Sequence, residues 1–92
     1  MKYRVLWTKT AVRCLRKLDR ETAKRIIDSV EEASEKPFKY IKKLYGMPFY
    51  SLRIGDYRAI LAVDSSKQTI VVLEVEHRKK VYEHFRKRFK KN

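Results

Sequence analysis

Hydrophobic and polar positions alternate most cleanly between Tyr50 and Val63. Tyr50, Leu52 and Ile54 are apolar at every second residue, the period of a strand with one buried face. Gly55-Asp56 then fits a two-residue turn of type II′, with glycine supplying a positive φ at the first central position. The register follows from the turn. Ile54 faces Tyr57, Arg53 faces Arg58, Leu52 faces Ala59 and Ser51 faces Ile60. Leu52, Ile54, Tyr57, Ala59, Leu61 and Val63 share one face of this hairpin; Ser51, Arg53, Arg58, Ile60 and Ala62 share the other. Two arginines therefore stand directly across from each other. Like charges so placed are unfavourable, unless carboxylates sit beside them or the surface is built to meet an anion.

The same patterning organises the rest of the chain. Lys2 to Trp7 alternates as a strand, with Tyr3, Val5 and Trp7 on one side. Thr8 is a plausible N-cap for a short helix striped by Ala11, Leu15 and Leu18, and Cys14 fits that stripe as a small buried residue. Asp19 caps a second helix, in which Ala23, Ile26, Ile27, Val30 and Ala33 recur at helical spacing before Pro37. Its opposite face mixes Arg20, Glu21, Lys24, Arg25, Asp28, Glu31, Glu32 and Glu35, the pattern of a solvated surface. Phe38 to Tyr45 reads as an ordered loop or a short turn of helix, with Phe38, Tyr40, Ile41 and Leu44 as satellite core. Thr69 to Glu76 forms a further strand. With unbroken alternation, Val71, Leu73 and Val75 join the core face, and Ile70, Val72, Glu74 and Glu76 fall on the arginine face, with Glu74 opposite Arg58. Val81, Tyr82, Phe85 and Phe89 then recur at helical spacing in a basic segment from about 79 to 92.

The expected fold is α+β, in the order β-α-α-β-β-β-α. An N-terminal strand and a helical hairpin pack on a small antiparallel-rich sheet in one domain spanning 1–92. The first strand could run parallel to a later one, and the pattern does not say which.

Charge changes the picture more than length does. The 92 residues carry 24 Lys and Arg against 11 Asp and Glu, a net charge of +13. Such self-repulsion is relieved by a polyanion, an acidic protein partner or both, with RNA ahead of DNA. A membrane is disfavoured, because no segment approaches the ~20 apolar residues of a span. Cationic residues scattered through the N-terminus spoil a secretory signal. A lone Cys14 and two separated histidines make no internal disulfide, zinc or redox pattern. A cytoplasmic protein without metal or cofactor is expected. No nucleophile-plus-base set of the hydrolase kind and no glycine-rich phosphate loop is present. What is concentrated is Arg53, Arg58, Arg78, Lys79, Lys80 and Tyr82, with His77 among them. Arginine forks suit a phosphodiester, holding its oxygens and stabilising a pentacoordinate dianion. RNA brings its own nucleophile, the 2′-hydroxyl, so alignment, a base, an acid and cations suffice. Composition alone favours binding over catalysis.

Four stretches sharpen this: Lys43-Leu44-Tyr45-Gly46-Met47-Pro48, Tyr50-Ser51-Leu52-Arg53, Gly55-Asp56-Tyr57-Arg58 and His77-Arg78-Lys79-Lys80-Val81-Tyr82. Together they resemble the RelE family of toxins, within the RelE/ParE superfamily, and the likeness runs over nearly the whole chain. The resemblance implies a ribosome-dependent, metal-free endoribonuclease that cuts mRNA in the ribosomal A site by 2′-hydroxyl attack, leaving a 2′,3′-cyclic phosphate. It also implies an acidic RelB-like antitoxin that wraps and neutralises the toxin. By position, Arg58 matches an arginine that stabilises the transition state, and Arg53 stands where the family often has a lysine supporting the developing charge. Arg78 matches a proposed general acid, and Tyr82 a tyrosine that stacks on or orients the substrate. Lys42, Lys43, Lys80 and Arg86 are candidate contacts to mRNA or rRNA. One departure matters: the position two before Arg53 often carries a lysine proposed as general base, and here it is Ser51. His77, Lys79 or a ribosomal group is then left to act as base. The alternatives are a ParE-like toxin, which keeps the fold but binds DNA gyrase, and a basic RNA-binding module without activity. If Glu74 neutralised the arginine pair, the site would be structural.

Overall fold

The computed structural model describes residues 2–80. The expected C-terminal helix, with Tyr82 and Arg86, lies outside the described residues except for Lys79 and Lys80.

Side-chain caps start the two long helices where the sequence places them. Thr8 Oγ1 accepts the Ala11 N–H at 3.1 Å and opens α1 (Lys9–Arg16). Asp19 accepts the Thr22 N–H at 3.2 Å and the Thr22 hydroxyl at 2.6 Å, opening α2 (Arg20–Ala33). Capping satisfies amide donors that have no partner within the helix. Those two bonds hold the Asp19 carboxyl below its ordinary range, the Thr22 hydroxyl contributing most. Ile26, Val30 and Ala33 of α2 are buried, whereas Ile27, expected on the same stripe, lies at its exposed edge.

Five strands make one mixed sheet in the order β1-β5-β4-β3-β2. They are β1 (Arg4–Trp7), β2 (Ile41–Lys43), β3 (Tyr50–Ile54), β4 (Tyr57–Asp64) and β5 (Thr69–His77). β1 pairs parallel with β5, from Arg4 opposite Thr69 to Trp7 opposite Val72. Parallel neighbours need a crossover connection, and the helices supply it by packing over one face, α1 against β5 and α2 against β3. The main core lies between these layers: Ala11, Ile26 and Val30 meet Leu52, Ile54, Ala59, Leu61, Ile70, Val72 and Val75.

Two expectations are corrected. Phe38 to Tyr45 is not simply loop or a turn of helix. Pro37–Tyr40 forms the short helix α3, and Ile41–Lys43 is the edge strand β2, paired antiparallel with β3. Three residues are too few for a period-2 pattern to be visible, so only pairing with a distant strand defines this element. The alternation of β5 is also broken. Ile60 pairs with Glu74 but Leu61 pairs with Val72, so Leu73 is an extra residue on β5. Such a bulge slips the phase by one residue. Ile70 and Val72 join Val75 in the main core, and Leu73 turns to the opposite face beside Met47 and Ile60. Glu74 and Glu76 do fall on the arginine face, but Glu76, not Glu74, stands across from Arg58. The Thr8 hydroxyl donates to the carbonyl of Leu73 at 3.0 Å, so one side chain caps α1 and serves the bulge.

Candidate functional site

The hairpin of β3 and β4 has the register its turn dictates. Arg53 pairs with Arg58, Ser51 with Ile60 and Leu52 with Ala59. Gly55 has φ +59°, and no positive φ falls on Asp56, as a type II′ turn requires. A side chain on Gly55 would also meet the guanidinium of Arg25, whose Nη2 lies 2.9 Å from the position of a Cβ. α2 thus brings a further cation to the hairpin tip, a placement that depends on helix packing and was not read from the sequence.

Two rungs cross the face opposite α1 and α2. One runs Lys42, Ser51, Ile60, Glu74 from β2 through β5; the next runs Arg53, Arg58, Glu76 from β3 through β5. The cations stand on β2, β3 and β4 and the carboxylates on β5. Tyr40, Lys42, Ser51, Arg53 and Arg58 line an open cavity of about 260 Å³, and neither Glu74 nor Glu76 belongs to its lining. Glu74 is only 3% exposed, packed into the sheet face opposite Ile60. Arg58 is braced on its own turn: Nη1 donates to the carbonyl oxygens of Tyr57 at 3.1 Å and Gly55 at 3.3 Å. Preorganised guanidinium groups of this kind can hold a phosphate without reorganising as charge grows on it.

The turn also fixes the end of β5. Arg78 donates its backbone N–H to the Asp56 carbonyl at 2.7 Å, bringing Arg78 to the hairpin tip beside the Arg53–Arg58 pair. His77 goes elsewhere. It pairs with Tyr57, its ring 5.7 Å from the Tyr57 ring in an edge-on arrangement, and its Nδ1 accepts the Lys79 N–H at 3.2 Å. Both rings belong to the helix-covered face and line a second cavity with Cys14, Lys17, Leu18 and Lys80. His77 and Lys80 are therefore not assembled with the arginines. Lys79 is exposed beyond the strand end. Lys43 pairs with Tyr50, which packs on the main core, so Lys43 leaves the arginine face while its neighbour Lys42 joins it. Tyr40, read as satellite core, is 44% exposed and lines the cavity instead. The signal for both lay in the edge strand β2, whose partner is not visible locally. Tyr82 and Arg86 lie outside the described residues.

Among the described residues, no three His, Cys, Asp or Glu side chains cluster so as to hold a metal ion. No helix among them is long and apolar enough to cross a membrane.

The mixed sheet with helices on one face and a basic hairpin on the other defines a small toxin fold. Residues 5–82 match the family model for the ParE toxin of type II toxin–antitoxin systems, parDE. The chain belongs to the RelE/ParE superfamily, as a RelE-type toxin of a type II toxin–antitoxin system. It is 34% identical to toxin RelE3 of Methanocaldococcus jannaschii, over 89% of this chain and 98% of the relative. Its structure is similar to a chain of the RelBE2 toxin–antitoxin complex of Mycobacterium tuberculosis, with a TM-score of 0.81 and 31% identity, covering 85% of this chain and 93% of that one. It is also similar to a chain of the RelE–RelB complex of Pyrococcus horikoshii OT3, with a TM-score of 0.73 and 28% identity, covering 88% and 100%.

Proposed function

We propose that this toxin is a ribosome-dependent endoribonuclease that cleaves mRNA in the ribosomal A site and so halts translation in the cytoplasm. The observation that carries the reading is the in-register Arg53–Arg58 pair opening into a cavity whose lining, among the described residues, also includes Lys42 and no carboxylate. In the reaction the 2′-hydroxyl oxygen attacks phosphorus, Arg53 and Arg58 stabilise the dianion, and the bond to the 5′ oxygen breaks, leaving a 2′,3′-cyclic phosphate. Arg78, held at the hairpin tip, is suited to steady the charge on the departing oxygen by a charge-assisted hydrogen bond, and Tyr82 to stack on a base. Lys79, Lys80, Lys43 and Arg86 are assigned to the surrounding RNA, where each phosphate contact adds to a salt-dependent affinity. The chain would act without metal or other cofactor. An acidic RelB-like antitoxin would neutralise it by covering the basic face.

The test is incubation of the purified chain with translating ribosomes, reading mRNA ends at the A-site codon. Discrete A-site cuts, lost in Arg58→Ala and Arg78→Ala, support the reading; intact mRNA on ribosomes that bind the toxin would overturn it. A second reading draws on the matched family model, that of ParE toxins. There the same face would dock DNA gyrase, and cleaved DNA would accumulate with gyrase while mRNA stayed whole.

A further inference from the structure

Lys42 stands directly across from Ser51, on a strand that the sequence pattern alone does not reveal. We infer that Lys42 is the proton acceptor of the site, reaching the reacting atoms from the edge strand β2. The inference rests on the RNA-cleaving reading above and names a residue for the step which that reading leaves unassigned.

Among the described residues, five line the cavity: Tyr40, Lys42, Ser51, Arg53 and Arg58. Arginine stays protonated in proteins and cannot take up a proton. A serine hydroxyl is not a base near neutral pH. A phenol is protonated there and serves as a donor, and the Tyr40 ring lies under the ammonium of Lys39, 5.6 Å from its centroid. The amine of Lys42 is the remaining group able to accept a proton. Lysines act as general bases in other sites where their surroundings favour the neutral amine.

The geometry agrees. Cross-strand neighbours have Cβ atoms ~4.5–5.5 Å apart, and the flexible four-carbon stem of a lysine spans more than that. Ser51 is short, and it and Lys42 line the same cavity. The other proton acceptors nearby are turned away or outside the cavity. The ring of His77 is against Tyr57 on the opposite face, with Nδ1 engaged by Lys79. Glu74 and Glu76 stand at the β5 end of the rungs and do not line this cavity.

The step balances without a further reactant. Lys42 Nζ takes the proton of the 2′-hydroxyl as the 2′ oxygen bonds to phosphorus. The bond between phosphorus and the 5′ oxygen breaks, and that oxygen takes up a proton from water. Lys42 returns its proton to water for the next cycle, and no atom changes oxidation state.

The experiment is single-turnover cleavage of mRNA on programmed ribosomes, with toxin–ribosome binding measured separately by sedimentation. Lys42→Ala and Lys42→Arg should each slow cleavage about 100-fold or more, while ribosome binding by Lys42→Arg stays near wild type. The double variant Lys42→Ser with Ser51→Lys returns an amine to the same cavity from the other strand, and should recover most of the lost rate. Full activity in Lys42→Ala or Lys42→Arg would overturn the assignment, the second because arginine keeps the charge but cannot accept the proton. A loss seen in Tyr40→Phe but not in Lys42→Ala would overturn it by moving the acceptor to Tyr40. Failure of the wild-type chain itself to cut mRNA would instead overturn the functional reading on which the assignment stands.

Discussion

On the helix side of the sheet, Leu52, Ile54, Ala59, Leu61, Ile70, Val72 and Val75 are sealed beneath α1 and α2. On the other side, Met47 and Ile60 are buried with Leu44, Phe49 and Leu73 around them, and Lys42, Arg53, Arg58 and the carboxylates Glu74 and Glu76 stand on the same face. The same strands feed both faces, so the contrast is set by alternation and, on β5, by the phase slip at Leu73. One face removes apolar area from water and supports the fold. The other places two guanidinium groups in a destabilising cross-strand position, a cost offset elsewhere in the molecule. The difference teaches that stability and function can be separated here by changing neighbouring residues on a single strand.

The sharpest way to break the comparison is therefore on β4. Leu61 is buried in the main core. Leu61→Ala should lower unfolding free energy by about 2–5 kcal/mol, a large share of the ~5–15 kcal/mol available to a small domain. Urea denaturation of the purified chain measures it. A loss under 1 kcal/mol would mean that the helix-covered face does not carry the fold.

Three residues away, Arg58→Ala should act in the opposite sense. Removing a preorganised charge stabiliser costs catalysis roughly 100–1,000-fold, read as mRNA cleavage on ribosomes. Stability should stay within about 0.5 kcal/mol of wild type, because relief of the Arg53 repulsion offsets the bonds from Nη1 to the Tyr57 and Gly55 carbonyls. A variant that unfolded instead would show that the arginine pair is structural.

What could be read in advance follows the same division between local and distant information. The whole β3–β4 register was legible, because a two-residue turn fixes it and the alternation confirms it. Arg53 and Arg58 were therefore placed correctly across from each other. The phase of β5 was not legible. Ile70 to Leu73 is continuously apolar, so alternation cannot locate the bulge that moves Glu76 beside Arg58 in place of Glu74. β2 was missed for want of length, and Lys42 and Tyr40 were lost as cavity residues with it. His77 is a different case. It was read among the arginines as a possible base, yet it lies two residues on from the core residue Val75, and the structure puts it on the helix-covered face.

A smaller effect tests the joint between the faces. Thr8 caps α1 on the helix side, and its hydroxyl serves the carbonyl of Leu73 at the bulge. Thr8→Val keeps the shape but removes both bonds. A loss of about 1–2 kcal/mol is expected, near 4–16 °C in Tm for a domain of this size. Thermal denaturation checks it, and an unchanged Tm would mean that the bulge is fixed by side-chain packing alone.

The smallest effect lies at the rim of the helix-covered face, where exposed Asp19 caps α2. Its carboxyl is held below the ordinary range by the Thr22 hydroxyl first and the Thr22 N–H second. The sign follows from that direction. The folded chain releases this proton more readily than the unfolded one, so the carboxylate contributes its full stability above the unfolded value of about 3.9. That contribution disappears as pH falls through the lower folded value. Comparing urea midpoints of wild type and Asp19→Ala should thus show a gap that is constant near neutral pH and closes in acid, whereas the gap for Leu61→Ala, which involves no titrating group, should persist for as long as the fold does. A gap for Asp19→Ala that widened on acidification would contradict the capping assignment, because only the charged carboxylate is favoured by two donors.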